Sequence, residues 1–389
     1  METTVDMEKE TKEFLVNIHF PEEIIIEILR RLPVRILMQF KLVCKPWNSL
    51  ISDPTFKLST KRRQRAIMCT TQITEKFDGT HFDEKRKMLY SLDCELFVQD
   101  LPCPVKVPSE RYTIQFLGSC NGLLLFCTSG CIYLWNASTR CCRQLHQLNG
   151  LMKRSSYHLF GIASGLCFNE SSNDYKAVII DTNPYVEDRS LRVSSFVYVA
   201  SLRRRIEWTD INFPYKLIRN QRTTLASGAL VNGHLHWLVE EGSGNEIVIV
   251  YFDETTNQFH KFPMPETTPH EGGFATPFLR LIVLDGCICM CISGSNFRSN
   301  DILIMREYGV KESWTTLFRI QGIQGCFVPL FSSVSDDDIL VSNAWEIEVY
   351  NCKNNSSKKI KLSPDRELLG GYPLVYEETL ESVDWVQQD

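Results

Sequence analysis

The chain has 389 residues, 43% of them apolar and 23% charged, with a net charge of −5. That is ordinary globular usage and enough length for two or three domains or one large repeat array, so wholesale disorder is excluded. No apolar run reaches the roughly 18 residues that a membrane helix needs, and no membrane partner is expected.

Residues 1–18 open with METTVDMEKETKEF, which is polar and acidic and has no apolar segment of the signal-peptide kind. They are expected to be disordered, and the protein is expected in the cytoplasm, the nucleus or both. From Phe20 to Arg65 there are ten Lys or Arg against four acids, so this stretch carries +6 and the remainder −11. A basic head on an acidic body predicts an acidic partner for the head.

The head reads as short helices. Pro21 suits a helix start, and Ile25, Ile28, Leu29 and Leu32 follow at one-face spacing. Ile24 and Ile26 fall off that face, so the helix is apolar on a second side. Pro33 ends it and opens a second helix with Leu37 and Phe40. Pro46 marks a third start, with Trp47, Leu50 and Ile51 on one face, and Asp53-Pro54 caps a further turn containing Phe56. About 40 residues bury too little surface to stand alone, and helices apolar on two sides need a second cover. That cover is either the rest of this chain or another protein.

The ordered string Phe20-Pro21-Glu22-Glu23-Ile24-Ile25, Leu29, Leu32-Pro33, Leu37, Val43-Cys44-Lys45, Trp47 and Ser49-Leu50-Ile51 resembles an F-box. The one departure is Phe20, where Leu is usual. The resemblance implies docking on the acidic adaptor Skp1 of an SCF-type ubiquitin ligase, and through it on a cullin. Carried over by position, the implied contacts are Phe20, Pro21, Ile25, Leu29, Pro33, Leu37, Val43, Cys44, Lys45 and Trp47. The competing reading for Leu29, Leu32 and Leu50 is that they hold the helices together. Lys61-Arg62-Arg63-Gln64-Arg65 reads as a solvated helix end in preference to a nucleic-acid site, because the acidic body would repel phosphate.

From Ala66 onward, short β-rich runs alternate with Gly, Asn, Asp and Ser clusters. Ile132–Leu145, Val248–Phe262 and Ile347–Leu362 share one plan: an apolar strand, an aromatic, Asn or Asp, a polar turn, a second strand. Aligning them with looser copies puts Tyr90, Trp135, Tyr198, Phe252, Met305 and Tyr350 in register, at spacings of 45, 63, 54, 53 and 45. Such a period predicts propeller blades. Asn121-Gly122, Asn232-Gly233 and Asp285-Gly286 predict type I′ hairpins upstream of matched hairpins. Residues 372–383 are expected to lend a strand to the first blade and lock the ring; a solenoid or stacked sandwich is the competing architecture.

The order GSCNGLL (118–124), Gly165–Val178 with Asp174-Tyr175-Lys176, and GHLHWL (233–238) is similar to the F-box-associated, kelch-like domain of plant F-box proteins. The expected fold is therefore multidomain α+β: a three-helix F-box (19–58), a linker (59–66) and an all-β, propeller-like domain of about six blades (67–385). The resemblance implies that the body recruits a protein substrate for ubiquitylation. An F-box protein acting outside the ligase, as a scaffold or transcriptional cofactor, is the alternative.

An enzyme reading finds little support. There is no G-x-S-x-G, Walker A or G-x-G-x-x-G. None of the 15 Cys form C-x-x-C, and Cys287, Cys289 and Cys291 alternate on one strand face as small apolar residues. His234 and His236 share a face without a nearby third ligand, and Asp336-Asp337-Asp338 lacks the Gly and Glu of a calcium loop. No catalytic residue, metal or cofactor is expected. Target contacts are expected on long polar connections at Asn149–Ser156, Asn183–Ser190, Glu241–Asn245 and Ser293–Asn300.

Overall fold

The computed structural model describes residues 21–59, 63–73, 85–106, 114–147, 162–182, 195–203, 206, 208–218, 226–242, 246–266, 278–293, 299–321, 327–332, 337–342, 346–361, 368–369 and 373–384. The chain divides into two compact units, Met1–Lys61 and Arg62–Asp389.

In the first unit the helices are α1 (Glu22–Arg31), α2 (Val34–Phe40), α3 (Lys45–Ser52) and the short α4 (Pro54–Ser59). Pro21 and Pro33 occupy the N-cap positions of α1 and α2, where a missing N–H costs nothing. Their carbonyls accept the first helical hydrogen bonds, from Ile24 and Ile25 and from Ile36 and Leu37. Asp53 caps α4, its Oδ1 accepting from the N–H of Thr55 at 2.8 Å and of Phe56 at 3.3 Å. Leu29, Val34, Leu37, Ile51 and Phe56 are buried, and the Phe40 and Trp47 rings sit 5.1 Å apart. This is a miniature core made by one apolar stripe per helix.

The second unit is a six-bladed ring. Blade 2 is the plain case: Gln115–Cys120, Leu123–Thr128, Cys131–Asn136 and Cys141–Gln147 pair as an antiparallel meander. Blade 3 begins at Ile162–Asn169, blade 4 at Ala229–Val231, blade 5 at Phe278–Leu284 and blade 6 at Val328–Ser332. The six aligned positions of the sequence, Tyr90 to Tyr350, all fall on the third strand of their blades. Three of them are followed by an Asn or Asp that has a physical job. Asn136 Oδ1 accepts from the N–H groups of Ser138 and Thr139, Asp253 from Thr255 and Thr256, Asn351 from Lys353 and Asn354. Each is an Asx turn that starts the last hairpin of its blade. The three Asn-Gly or Asp-Gly pairs have positive φ at both residues, as type I′ turns require.

Blades stack through six apolar seams. Leu117 and Leu125 meet Leu166 and Tyr175 between blades 2 and 3; Val178 and Val197 meet Trp237 and Phe252 between 3 and 4. Ile249 and Phe262 meet Ile288 and Met305; Cys289 and Ile302 meet Val341 and Tyr350. Leu340 and Ile347 then meet Ala66 and Tyr90, and Ile67 and Leu89 meet Phe126 and Trp135. The last blade thus packs on the first, which a solenoid or open sandwich cannot do. First strands of neighbouring blades approach closely: a Cβ on Gly118 would stand 2.7 Å from the Leu166 nitrogen, which is why this position is Gly.

Blade 1 is assembled from both ends of the unit. Leu374–Glu377 pairs antiparallel with Gln64–Ile67, and Gln64–Ile73 continues to Lys85–Asp93 and Val98–Leu101. The strand begins at Gln64, within the stretch the sequence marks as linker. Arg65 is not part of a solvated basic end: it is 5% exposed and grips both halves of the joint. Its Nε donates to Ser91 Oγ at 2.6 Å and its Nη1 to Asp93 at 3.0 Å, with Glu378 at 3.7 Å. Ser91 Oγ shares a 3.0 Å hydrogen bond with the Tyr376 hydroxyl, and the Glu378 N–H donates to the Arg63 carbonyl at 2.8 Å. Burial pushes the Glu378 carboxyl up, and Arg65 and Arg63 pull it back.

The tail then runs on. Thr379 Oγ1 donates to Asn121 O at 2.9 Å, Asn136 Nδ2 donates to the Thr379 and Glu381 carbonyls, and Arg203 pairs with Glu381 at 2.7 Å. Val383 is fully buried in the seam between blades 2 and 3. Removing Arg65 leaves Asp93 and Glu378 buried without their counter-charge, so Arg65→Met should cost about 3–5 kcal/mol. Urea unfolding at neutral pH reads this, and a change below about 1 kcal/mol would mean that the joint does not depend on the guanidinium.

Candidate functional site

Among the described residues the large apolar side chains left exposed are Ile24, Ile28, Leu42, Val43, Phe97 and Val310, and four of these six belong to the helical unit. Ile24 and Ile28 are one turn apart on α1, 46% and 51% exposed, and form a stripe beside the buried Leu29. Sequence periodicity groups Ile28 with the inward face; the helix instead points Leu29 inward and leaves Ile28 with Ile24. Leu42 and Val43 are 87% and 62% exposed in the turn between α2 and α3. The turn follows from its residues: the helix stops at Phe40, Lys41 is the C-cap, and Cys44 is extended at the start of α3.

The structure sorts the contact residues implied by the resemblance into three groups. Pro21, Val43, Cys44 and Lys45 are exposed; Ile25, Pro33 and Trp47 are half-buried. Leu29 and Leu37 are 1% and 0% exposed and sit in the miniature core. Phe20 lies outside the described residues. Ile24, Ile28 and Leu42 were absent from that set. The signal for the first two was the i, i+4 repeat of Ile on the second side of α1; for Leu42 it was an apolar residue in a turn.

In the body, the motif residues are structural. Asp174 Oδ1 accepts from the N–H groups of Leu202 and Arg203, at 3.2 and 2.8 Å. Lys176 Nζ donates to the Glu254 carbonyl and to Asn257 Oδ1, tying blade 3 to a turn of blade 4. Trp237 Nε1 donates to the Ser164 carbonyl at 3.3 Å. Asn136 and Asn169, which head glycosylation-type triplets, are 0% and 4% exposed and serve as turn caps. Cys289 and Cys291 are buried in one seam with Cys287 against it, and burial pushes Cys289 up to about 12. No group of three or more His, Cys, Asp or Glu among the described residues is placed to hold a metal.

His234 and His236 do share a face, both against the Tyr251 ring. His234 Nδ1 donates to Glu254 at 2.8 Å. His236 is 1% exposed. Its Nδ1 donates to the Ala229 carbonyl at 3.0 Å, and its Nε2 accepts from the Tyr308 hydroxyl of blade 5 at 2.9 Å. That pattern needs the neutral ring.

The four long connections expected to meet a target, Asn149–Ser156, Asn183–Ser190, Glu241–Asn245 and Ser293–Asn300, lie wholly or largely outside the described residues. The strands they join are described. These connections follow either the second or the fourth strand of a blade. In an antiparallel meander both leave from the same edge. All four therefore depart from one rim of the ring, while the Asn-Gly, Asp-Gly and Asx turns occupy the other.

Comparisons with known proteins agree with this organisation. A family model described as "F-box associated beta propeller domain" matches residues 91–369, and one described as "F-box domain" matches residues 18–59. The F-box/kelch-repeat protein At3g23880 of Arabidopsis thaliana is 27% identical, over 90% of this chain and 92% of its own. F-box protein CPR1 of the same plant is 29% identical, over 77% of this chain and 73% of its own.

Two outcomes follow from the geometry. Leu29→Ala should destabilise the helical unit by about 2–5 kcal/mol, whereas Leu42→Ala should leave its melting unchanged within about 0.5 kcal/mol; equal losses would contradict the sorting into core and surface. Burial, reinforced by His234, pushes the His236 pKa down from 6.5 to about 4. As pH falls through that window the unfolded chain takes up a proton there and the folded chain does not, so stability drops by up to about 3 kcal/mol. His236→Gln should flatten that part of the profile in denaturation series between about pH 7 and about pH 4; an unaltered slope would assign the pH dependence to other groups.

Proposed function

The chain belongs to the family of F-box proteins whose body is an F-box associated beta propeller domain, and on that premise we propose that it is the substrate-recognition subunit of an SCF-type ubiquitin ligase. The helical unit docks on a Skp1-like adaptor and through it on a cullin. The propeller recruits a protein target, acting in the cytoplasm or nucleus. Its contribution is non-catalytic: holding a target beside a charged ubiquitin carrier raises the effective concentration of the reacting groups.

The observation that carries this reading is the concentration of exposed apolar side chains on the helical unit: Ile24, Ile28, Leu42 and Val43 within 20 residues. Such groups cost nothing on a surface that is covered in the working assembly, and they are a liability on one that is not. Within the helical unit, from Phe20 to Lys61, seven Lys or Arg against four acids leave +3, which supports an acidic adaptor. The buried Leu29 and Leu37 act by shaping the helices, and the exposed Pro21, Val43, Cys44 and Lys45, with the half-buried Ile25, Pro33 and Trp47, supply direct contacts. For the target, the gathering of the four long connections at one rim supports recognition there, away from the rim of tight turns.

Calorimetric titration of the purified full chain with a Skp1 protein tests the docking. Leu42→Asp/Val43→Asp should weaken binding about 100-fold or more and shift the melting temperature by less than about 2 °C. A folded wild-type chain that does not bind, or a double variant that binds as well as wild type, would overturn the reading.

A further inference from the structure

The outer flank of the ring carries a groove of about 410 Å³ between blades 4 and 5. One wall is Pro265 and Glu266, just past the last strand of blade 4, Gln258–Phe262. The other is the outermost pair of strands of blade 5, Ser299–Met305 and Trp314–Gln321, with the single helical turn Lys311–Ser313 at its end. The volume lies in the range of ligand sites. Leu303 and Thr316 stand opposite each other in the ladder and Trp314 is two residues from Thr316, so the three share one face. The Trp314 ring is fixed there. Its Nε1 donates to the Pro263 carbonyl at 3.2 Å, and its apolar body packs on the seam between the blades.

The groove is acidic. Lys311 Nζ lies 3.2 Å from Glu266 Oε1, but these side chains are 51% and 89% exposed, so the pair is weak. The Glu312 carboxylate is exposed beside them and has no counter-ion among the described residues. The strand along the groove is also open. Trp314–Gln321, with eight residues, is the longest outermost strand among the described blades. An edge of this kind presents unpaired N–H and C=O groups. Lysines stand on the outermost strands of blades 4 and 6, at Lys261 and at Lys358 and Lys359. Here the one charge is Arg319, and it is bound at 2.9 Å to Asp301 on the neighbouring strand. A bulge opposite Ile302 and Leu303 divides the strand and leaves Trp314–Thr316 as the run beside the groove.

We propose that this flank binds an extended basic segment of a partner protein, its backbone pairing with the edge at Trp314–Thr316 and one Arg side chain lying in the groove. The stem of that Arg rests on Trp314 and Leu303, and its guanidinium meets Glu312 and Glu266. Backbone pairing supplies the register, and the groove selects the side chain. A planar guanidinium can stack on an indole while it donates to carboxylates. The site stands on the body alone and holds whether or not the helical unit binds an adaptor.

The test is titration of the full chain with four probes, read by ligand-observed NMR up to about 10 mM. They are acetyl-TVRVT-amide, the same peptide with citrulline or with Glu in place of its Arg, and acetyl-arginine amide. The Arg peptide should bind at least about tenfold more tightly than the citrulline peptide, which keeps the shape and loses the charge. The Glu peptide should bind most weakly of the three peptides. Acetyl-arginine amide brings the side chain without the strand, and should bind at least about tenfold more weakly than the Arg peptide. Glu266→Gln/Glu312→Gln should abolish the preference for Arg over citrulline; both carboxylates are exposed, so the fold is kept. Equal binding of the Arg and citrulline peptides, no binding of the Arg peptide, or a preference untouched by the double variant would each overturn the proposal. So would a dimer of the full chain in sedimentation that the Arg peptide fails to dissociate, because the edge would then belong to a second copy.

Discussion

Everything in the body depends on one joint, the pairing of Leu374–Glu377 with Gln64–Ile67. A propeller blade has no core of its own; its apolar faces are buried only by its neighbours. Six seams therefore require six blades and a closed ring, and the seam between blades 6 and 1 exists only if the two ends of the unit meet. Backbone pairing over four residues would be a weak latch by itself. Arg65 strengthens it by joining strands of different origin: it holds Ser91 and Asp93 from the early half and faces Glu378 from the late half. The tail then spreads the joint over blades 2 and 3 through Thr379, Asn136, Arg203 and Val383. Peeling the last strand thus means breaking contacts in three blades at once.

The two rims of the ring are unequal for a local reason. Type I′ turns and Asx turns need no more than two to four residues, and their conformation is set by Asn, Asp and Gly. Those built on Asn-Gly, Asp-Gly or an Asx cap fall after the first or third strand of a blade. After the second strand of blade 2 the chain also turns tightly, at Ser129-Gly130 with positive φ at both residues, but the four long polar segments all follow a second or fourth strand. Positive φ at Asn121, Asn232 and Asp285, each followed by Gly, marks the constrained rim. A scaffold that fixes one rim and frees the other separates the residues that hold the fold from those at liberty to vary.

Much of this was legible in the sequence, and the parts that were not have physical causes. Strand hairpins announce themselves locally: an aromatic, then Asn or Asp, then a polar turn, recurring at blade spacing. That sufficed to place Tyr90, Trp135, Tyr198, Phe252, Met305 and Tyr350 on equivalent strands and to foresee the closing strand. Arg65 was not legible, because its partners lie 26, 28 and more than 300 residues away and it closes the basic run Lys61-Arg62-Arg63-Gln64-Arg65. A buried cation inside a basic run looks like a solvated one until its counter-charges are placed. Ile28 was misassigned for a different reason. On a helix as apolar as α1, a one-face template fits more than one rotation about the axis, and only packing chooses among them. Leu29 and Leu37 show the same limit: a motif fixes residue types without separating those that stay on the surface from those that shape the helix.

The joint also orders events along the chain. Gln64–Ile73 leaves the ribosome about 300 residues ahead of its inner neighbour Leu374–Glu377. Contacts so distant in sequence carry a high closure entropy and form late. The helical unit has no strand to wait for from so far along the chain. Until its late strand arrives, blade 1 presents a bare strand edge, and an open edge of β-rich sequence is an invitation to mispairing. Residues in the joint therefore carry two loads, the stability of the finished ring and the speed with which its last edge is covered. A weakened joint would then be felt first as aggregation during synthesis, before the ring has closed.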